Sequence, residues 1–304
     1  MEYTKEEVVD QAKYLMAGDK NNILIQDDFT FYWIECIRPL LSMMICISES
    51  ELEEQIAPEI FNQWGCPYER NFNIMEELNK IIIDINPNKN LNIALAKKDR
   101  VDYIYNTSAL EGNTMTYPEV ETLLDGITVG GRKISEEQMI LNQNKSVKLL
   151  FDLIENNKFD FTKLTVCLLH NEVSQNEALK WGEFRDANVR IGGTEFIPPK
   201  YETLDNIYEE NFKFINTINE PIIQAFTCFL LNAKNQYFYD GNKRTARLMM
   251  NGILLSNGYS MLNIKVKDKL KFNEMMIEYY DKDNLEDSVL WLYKYYKKQN
   301  SELK

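Results

Sequence analysis

The sequence predicts a mainly α-helical protein that carries one short β-hairpin. Three observations predict it. Apolar residues recur with a period near 3.6 over most of the chain, helix start and stop signals flank those stretches, and only one place shows alternating runs about a glycine turn. At 304 residues and 44% apolar composition, the chain is long enough to bury a full core.

Taken in order, Thr4 and Glu7 stand at capping-box spacing, and the apolar run from Ile34 to Ile47, interrupted by Glu35 and Arg38, is too short to span a bilayer and reads as a buried helix. The run Asn86-Pro87-Asn88-Lys89-Asn90 reads as a junction between an N-terminal helical segment, 1–90, of unassigned role, and a larger body, 91–304. A helical run follows from Asp99 and closes at Glu111, just before Gly112-Asn113. Further helices are expected from Phe161 to Val173, over Leu204, Ile207, Tyr208, Phe212 and Ile215, and from Ile222 to Lys234. Another, from Ala246 to Ser256, ends at the C-cap pair Asn257-Gly258. Between them, residues 189–197 place two short alternating runs about Gly192-Gly193, closed by Pro198-Pro199, and read as a hairpin. From Leu290 to Lys298 aromatics alternate with lysines, as in a terminal helix docked by its aromatic face.

Charge and composition narrow the function. The net charge is −13, with 34 Lys+Arg against 47 Asp+Glu, which argues against bulk binding to nucleic acid or to an anionic membrane. The first residues, MEYTKEE, show neither a basic leader nor an apolar signal segment, so a cytoplasmic location is the expectation. Five cysteines, Cys36, Cys46, Cys66, Cys167 and Cys228, lack CxxC spacing and read as reduced thiols. The single histidine, His170, excludes a multi-histidine metal site, and within Leu168-Leu169-His170 it reads as a core histidine bonded to backbone.

Against that acidic background, residues 236–247 crowd Lys243, Arg244 and Arg247 onto the first turns of a helix. A helix N-terminus is already electropositive and its first N–H groups lack partners, so the crowding implies an anion among these cations. Gly241-Asn242 lets backbone approach a ligand, and Asp240 is placed to hold a divalent cation. Together they describe a phosphate site with a metal. Glu111 raises the converse question: a carboxylate at the electronegative end of a helix is disfavoured unless a cation lies near. A surface carboxylate at a frayed helix end is the alternative.

Residues 236–247 resemble the signature of the Fic family, His-x-Phe-x-Asp/Glu-Gly-Asn-Gly/Lys-Arg-x-x-Arg, through Phe238, Asp240, Gly241, Asn242, Lys243, Arg244 and Arg247. Thr107-Ser108-Ala109-Leu110-Glu111-Gly112 resembles that family's inhibitory helix motif, Gly182 to Arg185 its Gly-x-x-Arg turn, and 189–197 its target-docking flap. The resemblance runs from about residue 95 to 260. It implies a Fic-type helical bundle over 91–304, with an inhibitory helix at about 99–112, the hairpin flap and C-terminal helices.

The resemblance further implies AMP transfer from ATP to a Ser, Thr or Tyr hydroxyl of a target protein. Asp240 would hold Mg²⁺, Gly241, Asn242 and Lys243 would form the anion cradle, and Arg244 and Arg247 would take the phosphates. Gln236, Asp240, Asn242 and Arg244 are thus the candidate catalytic set. Thr107, Glu111 and Gly112 would be inhibitory, with Glu111 occupying Arg247. Val189, Ile191, Glu195 and Ile197 would dock the target by strand addition, although a hairpin that merely caps the helical core is an equal alternative.

One departure matters. Gln236 stands where the family pattern has histidine, and an amide neither gains nor loses a proton near neutral pH. Weakened transfer, a non-catalytic nucleotide- or partner-binding protein, phosphate transfer and removal of AMP therefore all stay open. So does the oligomeric state, a homo-oligomer included. Gly126 to Gly131 spaces glycines like a Walker loop, but Arg132-Lys133 follows where Lys-Ser/Thr is required.

Overall fold

The computed structural model describes residues 83–302 together with Leu78 and Ile81. The chain divides into two units, Met1–Lys80 and Ile81–Lys304. The Thr4–Glu7 pair, the Ile34–Ile47 run and Cys36, Cys46 and Cys66 lie outside the described residues. The second unit is built from helices α1 (Lys89–Lys98), α2 (Arg100–Leu110), α3 (Tyr117–Leu124), α4 (Ile134–Glu155), α5 (Lys163–Ser174), α6 (Leu204–Asn216), α7 (Pro221–Asn235), α8 (Asn242–Ser256), α9 (Lys269–Lys282) and α10 (Leu285–Glu302). No helix among the described residues is long and apolar enough to cross a membrane.

Local chemistry sets several of these helix ends. Thr162 caps α5 by accepting from the Thr165 N–H, Pro221 opens α7 behind Glu220, and Asn257 with left-handed Gly258 closes α8. The chain at Pro87–Lys89 packs against Gly258, where the Asn88 N–H donates to the Gly258 carbonyl at 2.7 Å. The expected junction at 86–90 is thus part of the packing around the C-terminus of α8.

Helices α7 and α8 form the centre, with α5 and α4 against α8 and α10 against α7. Phe226, Phe229, Leu230, Leu248, Met249, Leu254 and Leu255 bury almost completely between them. Apolar burial on this scale, at roughly 25 cal/mol per Å², is the main force holding the bundle. In α10 the buried Tyr293 and Tyr296 face inward while Lys294, Lys297 and Lys298 stay exposed, so the aromatic face is the docked one.

The expected β-hairpin does not form: there is no strand among the described residues. Residues 189–197 turn at Gly192-Gly193, but side chains hold the segment to α9 in place of a ladder. Thr194 Oγ1 bonds the Asp281 carboxylate, and the Phe196 ring stacks on Tyr280 with centroids 6.1 Å apart. The Lys234 ammonium lies 4.9 Å from the Phe196 ring centre. A two-stranded ribbon alone is marginal in water, and these contacts order the segment without one.

Arg185 ties this excursion to the centre. Its guanidinium is 2% exposed and donates to the carbonyls of Gln236 (2.6 Å), Ala187 (2.8 Å) and Pro199 (2.5 Å), while its N–H donates to the Tyr237 carbonyl at 2.9 Å. One planar fork thereby joins the turn after α5, the 189–199 segment and the loop between α7 and α8. Arg185→Met leaves those three carbonyls without their donor and is expected to lower stability in urea unfolding by about 2–4 kcal/mol. Arg190→Met, at an exposed position, is expected to change it by less than about 0.5 kcal/mol.

Candidate functional site

The loop between α7 and α8 reverses the chain in six residues, which requires left-handed backbone at both ends: Gln236 at φ 48° and Gly241 at φ 73°. At Gly241 only glycine fits, since a Cβ would stand 2.1 Å from Ser174 Oγ and 3.1 Å from Val173 Cγ1 on α5. Asn242 closes the loop from inside. Its Oδ1 accepts from the Phe238 N–H at 2.9 Å, and its Nδ2 donates to the Phe238 carbonyl at 2.8 Å and to Gln236 Oε1 at 3.0 Å. The buried amide of Asn242 is therefore committed to the loop, and any part it takes in an anion cradle falls to its backbone N–H.

His170 holds the same loop from α5. Its Nδ1 accepts from the Gly182 N–H at 3.0 Å, so the ring proton sits on Nε2, which donates to the Asp240 carbonyl at 2.9 Å. The imidazole stacks on Phe238 at 3.6 Å between centroids, within 6° of parallel. Burial, opposed by the Asp240 hydrogen bond, lowers its pKa to about 4. The histidine is thus a neutral structural clamp and holds no free proton to exchange near pH 7.

Gln236 is turned into the protein as well. Its Nε2 donates to the Ala233 carbonyl at 2.6 Å and its Oε1 accepts from Asn242. One N–H and one lone pair of the amide are thus used to finish α7 and brace the loop, which fixes the direction of the side chain.

The three cations at the start of α8 each have a carboxylate partner. Arg247 Nη2 donates to Glu111 Oε1 at 2.8 Å, Lys243 Nζ lies 3.0 Å from Glu111 Oε2, and Arg244 Nη1 donates to Glu177 Oε2 at 2.8 Å. Part of the anion that this crowding demands is supplied by the protein itself. Glu111 closes α2 beside the left-handed Gly112, with Thr107 buried one turn back. Lys269 Nζ, from α9, donates to the Ala109 carbonyl at 2.7 Å and relieves the same negative helix end. Burial alone would raise the Glu111 pKa, but Arg247 and Lys243 outweigh it and hold it at about 2.

Arg247 is 2% exposed, and its guanidinium lies 5.4 Å from the ring centre of Phe272 on α9. Its Nε and Nη1 are buried without a hydrogen-bond partner, as is the Tyr280 hydroxyl, whose pKa is raised by burial and further by the Glu111 charge. A buried guanidinium that spends one nitrogen on a carboxylate keeps donor capacity for another anion.

Asp240 stands at the mouth, its side chain 65% exposed, with Oδ1 accepting from the Gly241 N–H at 2.6 Å and lying 3.9 Å from Arg244 Nη2. Among the described residues no group of three or more His, Cys, Asp or Glu side chains could hold a metal ion. A lone hard-oxygen carboxylate fits Mg²⁺ only where phosphate oxygens and water complete the shell.

Of the residues the sequence singled out, the structure brings Glu111, Lys243 and Arg247 together, with Asp240 and Arg244 beside each other, and turns Gln236 and Asn242 inward. It leaves Val189 and Ile191 half-buried and Glu195 and Ile197 exposed on the segment pinned to α9. Glu177 and Phe272 went unnoticed in the sequence. Glu177 follows α5 in a turn with no periodic signal, and Phe272 reads as one more core aromatic.

The arrangement is a helical bundle about a glycine turn, with three paired cations on the N-terminus of α8. Residues 160–254 match the model of the Fic/DOC family, and this segment is a Fic/DOC-type domain. The chain is 30% identical over 185 residues to the protein adenylyltransferase Fic of Drosophila melanogaster, a match covering 58% of this chain and 37% of that protein. To the protein adenylyltransferase Fic of Aedes aegypti it is 26% identical over 194 residues, covering 61% and 38% respectively. These matches span less than two-fifths of the length of those curated relatives.

Among solved structures, the fold is shared with a Fic domain containing signaling protein from Bacteroides thetaiotaomicron (TM-score 0.57, 20% identity, covering 77% of this chain and 92% of that one). It is also shared with Fic-1 from C. elegans (TM-score 0.54, 15% identity, 98% and 89%).

The His170 clamp gives a pH dependence. Its folded pKa, about 4, lies below the ordinary 6.5, so between these values the unfolded chain binds a proton that the folded chain refuses. Stability in urea is expected to fall as pH drops from 6.5 to 4, by up to about 3 kcal/mol from this group, and the part of the slope between pH 6.5 and 5 is expected to vanish in His170→Gln.

Proposed function

We propose that the chain is a Fic-type protein adenylyltransferase whose nucleotide site is latched by Glu111 and whose transfer step is slowed by the loss of a base at residue 236. The observation that carries this reading is the Glu111 carboxylate shared between Arg247 (2.8 Å) and Lys243 (3.0 Å) on the opening turns of α8. A carboxylate in that position occupies the cations a triphosphate requires, so nucleotide and Glu111 compete for them. The free nitrogens of Arg247, the unpartnered first N–H groups of α8 and the exposed Asp240 carboxylate support the phosphate reading.

In this reading ATP lays its phosphates along the N-terminus of α8. Asp240 would hold Mg²⁺, which when bound neutralises phosphate charge. The hydroxyl oxygen of a Ser, Thr or Tyr on the target attacks the α-phosphorus, the bond from that phosphorus to the bridging oxygen of pyrophosphate breaks, and pyrophosphate leaves. The hydroxyl proton, taken by histidine in the family pattern, passes to water. Positioning and charge stabilisation supply what rate remains. The exposed segment around Glu195 and Ile197 is the place for the target chain.

A second reading, a nucleotide-binding protein without turnover, is favoured by one observation: the amide of Gln236 is held inward by Ala233 and Asn242. Two variants separate the readings. Glu111→Gly is expected to tighten Mg-ATP binding by at least tenfold in calorimetry, and Asp240→Ala in that background to abolish it. Gln236→His with Glu111→Gly is expected to raise protein labelling from labelled ATP by roughly 10²–10⁴-fold. Binding without labelling in both backgrounds leaves the non-catalytic reading standing. No Mg-ATP binding by wild type and Glu111→Gly alike ends both.

A further inference from the structure

The site described so far leaves one buried charge pair without a purpose. Arg244 is 2% exposed, and its Nη1 donates to Glu177 Oε2 at 2.8 Å and lies 3.4 Å from the Val173 carbonyl. Glu177, its side chain 9% exposed, is in turn held from α4: Asn142 Nδ2 donates to Glu177 Oε1 at 2.7 Å and to the Gln175 carbonyl at 2.7 Å. Asn142 is itself fully buried, and its Oδ1 accepts from Gln138 Nε2 at 2.8 Å. The chain Gln138, Asn142, Glu177, Arg244 thus crosses from α4 through the turn after α5 to the first turn of α8, every link a hydrogen bond.

This chain ends on a planar group with two working edges. A guanidinium gripped by one nitrogen has the direction of the other fixed, because its donors lie in one rigid plane. Gripped by Glu177 at Nη1, Arg244 turns Nη2 toward Asp240 Oδ1, 3.9 Å away at the mouth of the site. Glu177 sits behind Arg244, on the interior side. It also offsets the charge of one cation, which is costly to bury beside the positive end of a helix.

We infer that Glu177, braced by Asn142, is a positioning residue that aims Arg244 at the phosphates of the bound nucleotide and, through it, sets the place of Asp240 beside them. The inference rests on the nucleotide site proposed above. Since Glu177 acts only through Arg244, removing both residues costs no more nucleotide affinity than removing Arg244 alone. A residue that merely stabilises the fold gives the opposite pattern: its loss adds to that of its neighbour, or leaves binding untouched in whatever protein remains folded.

The test uses the full chain in the Glu111→Gly background, where the site is open, and reads the affinity for Mg-ATP by calorimetry. Glu177→Gln and Arg244→Gln are each expected to weaken binding by roughly tenfold, and the double variant by the same tenfold. Asn142→Ser, which takes the brace from Glu177 without stranding a charge, is expected to weaken it by about threefold. That variant supplies the measurement if Glu177→Gln does not fold, and Glu177→Asp, which keeps the charge, is expected to restore part of the loss. Additive losses, unchanged affinity in Glu177→Gln or Asn142→Ser, or tighter binding in Glu177→Gln would overturn the assignment. In each of those cases the Glu111→Gly parent still binds Mg-ATP and the nucleotide site stands; if the parent itself binds none, site and assignment fall together.

Discussion

The carboxylate of Glu111, lodged between Arg247 and Lys243, is the contact on which the rest of this site depends. It satisfies two opposed demands at once. The end of α2 needs positive charge near it and the start of α8 needs negative charge, and one buried ion cluster answers both. Three cations, Lys243, Arg244 and Arg247, meet three carboxylates, Glu111, Glu177 and Asp240, so the closed site is locally neutral. Withdrawing Glu111 leaves one unbalanced positive charge facing the mouth. A protein with a net charge of −13 has no general attraction for polyanions, so a positive field at this site is a local one. Because the two cations hold the Glu111 pKa at about 2, the carboxylate keeps its charge at every pH above its ordinary value of 4.5 and loses it only as pH falls toward 2. In the proposed function, competition from another anion, not protonation, is therefore what would open the pair.

Around that cluster the loop from 236 to 241 is held by its own buried rings, Tyr237 against Phe184 and Phe238 against His170, and by polar groups reaching in from elsewhere. His170 holds Asp240 by its carbonyl, Arg185 holds Gln236 and Tyr237 by theirs, and Asn242 closes the inside. A loop anchored at once by two buried rings and by hydrogen bonds to its carbonyls keeps its shape. It also explains the apparent waste of the only histidine in the chain. Neutral and buried, His170 serves as a splint, and the position where the family pattern places a reactive imidazole carries an amide that serves as another.

The helix pattern was legible in the sequence because it depends on local periodicity and on end signals such as Thr162, Pro221 and Asn257-Gly258, each acting within a few residues. The loop was legible for a related reason: Gly241 and the cations after it break the ordinary rule for a helix start, and a broken local rule points to a compensating partner. The hairpin misled. Its alternation about Gly192-Gly193 is a true turn signal, but Thr194 and Phe196 bond to α9 across more than eighty residues, and no local pattern records that preference. Glu177 was invisible for the same cause. Nothing within the chain near it distinguishes a carboxylate that will meet Arg244 from one that will meet water.

The sequence by itself determined the helical class, the glycine turn, the need for an anion at the start of α8 and the absence of a proton acceptor at residue 236, since all of these follow from residue type and short-range spacing. Only the tertiary structure decided which anion meets that need, which way the amide of Gln236 turns, and which of the three cations stays tied to the interior. Those outcomes depend on Glu111 at the end of α2, Glu177 in the turn after α5 and the cations of α8 being brought together, and the energy of such a cluster exists only once packing has removed the water between them.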